Sequence, residues 1–195
     1  MKELTLLMIG VLFVFMLSNF LRKGYYLEKV KSSVDGHEYL VRKLPDSQDA
    51  SDRLAKLGGN LQRLVERSLS DGTDATKRLH KNFNKERIIE HMPGNRYVSH
   101  SLNKGEELSF CLRNADDDTF IDENTVTFVA IHELAHVMSV SNGHTPEFWK
   151  NMKYLLEKGS EIGIYTPIDY AKNPVMFCGM EINSTPYDFG GPKTE

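Results

Sequence analysis

His132-Glu133-Leu134-Ala135-His136 sets two histidines four residues apart, with a glutamate directly after the first. On a helix such residues lie on one face, about one turn apart. His132 and His136 can therefore aim two imidazole nitrogens at one point, and Glu133 stands where its carboxylate can reach a water held there. A third histidine, His144, follows just beyond. Zinc takes nitrogen ligands, is usually four-coordinate, and keeps one position open in catalytic sites. Two histidines, one further ligand and a water meet that requirement, so the chemistry indicated is metal-assisted hydrolysis of a peptide bond.

The elements that must position these residues are legible around them. Thr125 to Ile131 is almost wholly apolar, so the helix carrying the motif is buried. Histidines and a glutamate on a buried helix need partners, and a metal supplies them. A core helix with incidental polar residues fits less well, given the third histidine. Asp122 or Asn124 serves as N-cap and Asn142-Gly143 as the stop, which predicts a helix over about 124–140. Pro146 suits the first position of a next helix, Pro146 to Lys158. Phe148, Met152, Leu155 and Leu156 form its core side, and Trp149 packs beside the histidine loop.

His132-Glu-Leu-Ala-His136, followed by Gly143-His144-Thr-Pro-Glu-Phe-Trp149, resembles the minimal zinc peptidases of the SprT and WLM kind. The resemblance covers roughly residues 95–158. It implies zinc as cofactor, His132, His136 and His144 as its three ligands, and Glu133 as the catalytic glutamate. It also implies a hairpin strand beside the active helix, for which Glu106 to Arg113 is the candidate. The spacing departs from the metzincin pattern, with Ser139 and Asn142 where that pattern has Gly and His. Some relatives of this kind act on proteins crosslinked to DNA. A net charge of −3 gives no general drive toward nucleic acid, so that role is not carried over.

A chain of 195 residues with 40% hydrophobic content buries one good core. Cys111 and Cys178 lack C-x-x-C spacing, which excludes a second zinc site, and two buried free thiols are expected rather than a bridge. Leu4 to Leu21 carries no charge and as a helix would span about 27 Å. Arg22, Lys23, Lys29 and Lys31 follow it, and Tyr25 and Tyr26 suit a membrane interface. The residues after the run make a poor cleavage site, so a single-pass anchor is expected rather than a removed signal. The charge bias places the catalytic domain on the cytosolic side.

Further along, His37 to Leu44 reads as a strand, and Leu54, Leu57, Leu61, Leu64 and Val65 mark an amphipathic helix over about 48–69. Asp74 to Phe83 forms a second short helix. Tyr97 to Ser101 and Leu108 to Leu112 alternate around Asn103-Lys-Gly105 and form a hairpin. An edge strand near the metal can pair with an extended substrate. His100 in that strand is read as structural. Asn114 to Thr119 lacks the calcium-loop pattern and is a solvated loop. Pro174 to Cys178 is a strand candidate. Tyr165, Tyr170 and Tyr187 are core residues by default, any of which could steady an oxyanion.

The expected class is α+β: a small zincin-like domain over 31–186, with an active-site helix, a short sheet or hairpin and flanking helices. An anchor and juxtamembrane segment over 1–30 precede it, and a flexible tail over 187–195 follows. The expected partners are a protein or peptide substrate and a lipid bilayer through residues 4–21. The alternative is a membrane-anchored structural or assembly protein on the same fold. It would be a virion component linking membrane and capsid, because compact anchored relatives also resemble proteins of large DNA viruses.

Overall fold

The computed structural model describes residues 8–14, 26–93, 100–102 and 107–189. Strands β1 (Leu27–Lys31) and β2 (Glu38–Arg42) form an antiparallel hairpin with Leu27 opposite Arg42. Helix α1 (Ser47–Leu69) follows, and its predicted apolar positions Leu54, Leu57, Leu61, Leu64 and Val65 are all buried. Helix α2 (Asp74–Asn82) begins at Thr73, whose hydroxyl accepts from the Thr76 amide. A turn of 3₁₀ helix, Lys85–Arg87, leads into β3 (Ile88–Glu90).

The second sheet has the order β3-β5-β4. It combines β4 (His100–Leu102) antiparallel and β3 parallel to β5 (Glu107–Phe110). The predicted hairpin is thus present, with His100 opposite Ser109. Residues 97–99 and 103–105 of that expectation lie outside the described residues. Strand β5 is shorter than the expected Glu106 to Arg113. Beyond its end the chain turns back on itself, and Arg113 bridges to Phe120.

Helix α3 (Glu123–Met138) runs through the centre of the molecule, buried on nearly all sides by Val126, Phe128, Ala130, Ile131, Leu134, Ala135 and Val137. A helix apolar all round must lie inside the fold. Helix α4 (Pro146–Glu161) packs along it. That packing is close because Gly159 faces Ile131, whose Cδ1 would lie 3.2 Å from an added Cβ. A small hairpin, β6 (Val175–Phe177) and β7 (Met180–Ile182), completes the fold.

Two expectations are corrected. The thiols are not free: the structure joins Cys111 and Cys178 in a disulfide, with Cα atoms 6.4 Å apart. The turn between β6 and β7 lies against the end of β5, a separation within bridging range. No sequence spacing encodes that juxtaposition.

The membrane anchor over 4–21 is also overturned. Among the described residues no helix is long and apolar enough to cross a membrane. Crossing needs about 20 helical residues. Within the expected span, residues 8–14 are described and are helical. Residues 4–7 and 15–21 lie outside the described residues. The cytosolic placement of the domain, and the bilayer as partner, rested on that span and fall with it.

Candidate metal centre

Helix α3 starts at Asp122, whose carboxylate accepts from the Thr125 amide at 2.9 Å and from its hydroxyl at 3.1 Å. Asn124, the other candidate cap, instead clamps the C-terminal chain through two bonds to the Thr166 backbone. The helix ends earlier than predicted. The Ser139 hydroxyl turns back on the Ala135 carbonyl at 2.7 Å and receives the Asn151 amide at 2.9 Å. Arg78 of α2 donates to the Met138 carbonyl, a basic group at the negative end of the helix dipole. These bonds hold the C-terminal turn that carries His136.

The chain then loops through residues 139–145, with Gly143 at φ 78°, a conformation that favours glycine. Thr145 caps α4 through the Phe148 amide, and Pro146 opens that helix as expected. His144 is carried over the face of α3. The ligand atoms of His132, His136 and His144 all lie within 4.8 Å of one another. The Nε2 atoms of His132 and His144 are 3.0 Å apart. The three predicted histidines are therefore brought together from one helix and the loop that follows it.

Beneath them lies Phe148, fully buried, its ring 4.8, 4.3 and 4.7 Å from those of His132, His136 and His144. The sequence reading placed Phe148 in the core but missed it as the floor of the site. Its position four residues after His144, in the first turn of the next helix, was the available signal. Trp149 stands 5.5 Å from His144 and is partly exposed, beside the loop as expected. Glu133 is buried on α3. His100 lies on β4, an edge of the three-stranded sheet adjoining α3. Tyr165 and Tyr170 pack on Phe128, one turn before His132, and are core residues.

Burial, and then the neighbouring His136 and His144, push the His132 imidazole down to about 3. It is neutral at ordinary pH, which is the form a metal takes. Tetrahedral zinc with bonds of about 2.0–2.1 Å would set its nitrogen ligands about 3.3 Å apart. The spacing here and the all-imidazole donor set fit such an ion. Glu147 is held at about 2 by the Ser141 hydroxyl first, then by the amides of Val140 and Ser141.

Comparison with known proteins places the chain. It is 29% identical over 160 residues to the uncharacterized protein R325 of Acanthamoeba polyphaga mimivirus, covering 79% of this chain and 81% of that one. It is 35% identical over 85 residues to protein 042R of Invertebrate iridescent virus 3, covering 44% and 50%. A shorter match, 35% over 69 residues, covers 34% of this chain and 38% of protein 136R of Invertebrate iridescent virus 6. Among solved structures, Wss1 from Saccharomyces cerevisiae is similar at 18% identity and a TM-score of 0.48, over 61% of this chain and 83% of that one. Residues 35–182, well over half of the sequence, match the WLM domain, and the chain belongs to the WLM family.

Proposed function

We propose that this chain is a zinc-dependent endopeptidase acting on protein substrates. The observation that carries the reading is the convergence of His132, His136 and His144, with Glu133 adjoining the first of them on the same helix. The three imidazoles would hold the ion. When bound, zinc supplies Lewis-acid polarisation of the scissile carbonyl and lowers the pKa of a water at the site.

The chain's own residues do the rest. Glu133 takes a proton from the attacking water and returns one to the departing amine. Phe148 packs under all three imidazoles and fixes their tilt, so the donor set is preorganised. Strand β4 is a sheet edge beside α3, and an extended substrate would add to it by backbone hydrogen bonding. That arrangement recognises main chain more than side chains, as expected of an enzyme that cuts unfolded or exposed segments.

The test is proteolysis of denatured protein by the zinc-loaded full chain, alongside Glu133→Gln. Cleavage by the wild type, its suppression by a zinc chelator, and an inactive Glu133→Gln that keeps its zinc are the expected results. Equal cleavage by wild type and variant would remove Glu133 from the mechanism.

A further inference from the structure

His132 and His136 share one helix, so their relative position is set by helix geometry. His144 has no such support. It sits in a loop of small polar residues with an exposed Val140 at its start, and such loops are mobile unless tied down. A mobile third ligand must be ordered each time the ion binds, which weakens binding.

The structure shows what ties it. Glu147 lies in the first turn of α4, where a carboxylate is already favoured by the helix dipole. Its two oxygens do not turn back on its own helix. One accepts from the Val140 amide at 2.9 Å. The other accepts from the Ser141 amide at 3.0 Å and the Ser141 hydroxyl at 2.7 Å. The same hydroxyl lies 2.6 Å from that of Thr145, the cap of α4. The residues on either side of His144 are thus bonded to each other, and the loop between them is closed at its neck.

We propose that Glu147 is a positioning residue: its carboxylate closes the neck of the 139–145 loop and so fixes His144 over His132 and His136. The proposal rests on the zinc reading for its consequence, but the clamp itself is a property of the metal-free chain. Outer groups that orient ligands typically affect metal affinity by about 10–100-fold when removed.

The experiment uses the full chain as wild type, Glu147→Gln, Ser141→Ala and Glu157→Gln. Glu157 is exposed on the same helix, so its variant controls for the lost charge. Amide hydrogen exchange is read on the metal-free proteins, and zinc affinity by competition with a chromophoric chelator. Glu147→Gln should speed exchange at Val140 and Ser141, weaken zinc about 10–100-fold, and alter the visible spectrum of the cobalt-substituted site. Ser141→Ala loses one of the three bonds and should move the same way by less, with Glu157→Gln unchanged in all three. Unchanged exchange at Val140 and Ser141 in Glu147→Gln overturns the clamp, whether or not zinc binds. Faster exchange with unaltered zinc affinity and cobalt spectrum overturns its role in positioning His144. Failure of the wild type to bind zinc at all sinks the metal reading instead, while the exchange data still decide the clamp. If Glu147→Gln does not fold, Ser141→Ala carries the same test.

Discussion

Two clusters of ionisable side chains in this molecule differ in kind. One joins β2, β3 and the β5 return. There Arg113 is buried between Glu90, at 2.8 Å, and Asp46, at 2.7 Å. Arg42 reaches Asp118 at 2.6 Å and gives its amide to Glu90 at 2.7 Å. The Arg113 guanidinium also lies 4.2 Å over the Phe120 ring. Acids and bases alternate, so the cluster satisfies itself. The other cluster brings together three like imidazoles that would repel one another if all were protonated. Charges that pair internally hold a fold together, whereas like donors converging on a point are suited to something that arrives from outside. The first cluster holds the fold together and the second is the candidate site.

The sharpest way to break the comparison is at the second cluster. Substitution His132→Ala should abolish stoichiometric zinc binding and hydrolysis together, read by elemental analysis and a proteolysis assay. Glu133→Gln should lower turnover by at least about 10²–10⁴-fold, the usual worth of a positioned acid–base group, with zinc content retained. At the first cluster the effect should appear in stability. Arg113→Ala strands a buried Glu90 and should cost about 3–5 kcal/mol in urea denaturation. A paired apolar replacement, Arg113→Met with Glu90→Leu, should recover much of that loss, as replacing both partners of a buried pair does. Stripping zinc with a chelator should lower the melting temperature of the wild type but not of His132→Ala. At a free metal concentration of 100 times Kd the linkage is worth about 2.7 kcal/mol.

The smallest effect concerns a carboxylate that meets the turn between β1 and β2. The hydroxyls of Ser33 and Ser32 hold Asp52 at about 2, against an ordinary 3.8. A group with a depressed folded pKa stabilises above its unfolded value and loses that contribution as pH falls. The stability gap between wild type and Asp52→Asn should therefore be full above pH 4 and shrink as pH falls toward 2, as read by urea titration at each pH.

The second cluster was readable from the sequence because its parts are close along the chain. His132 and His136 share a helix period, and Pro146 and Gly143 punctuate the loop that delivers His144. Long amphipathic α1 was readable for the same reason. The first cluster was not. Arg113 meets Asp46 and Glu90 only once β2, β3 and β5 are assembled, and no local pattern encodes that pairing. Short elements escaped too. Strand β1 sits among the basic residues read as a membrane flank, and β3 is three residues long. The disulfide joins positions 67 residues apart. Glu147 was legible only as part of the segment around His144, and its turn toward Val140 and Ser141 is a tertiary fact.

The central claim is that three imidazoles hold one zinc ion. X-ray absorption at the zinc edge, on the purified full chain, tests it most directly. The expected result is about one zinc per chain, with a first shell of three imidazole nitrogens at about 2.0–2.1 Å and one oxygen donor. A chain that retains no zinc, or a shell containing sulfur at about 2.3 Å, would contradict it.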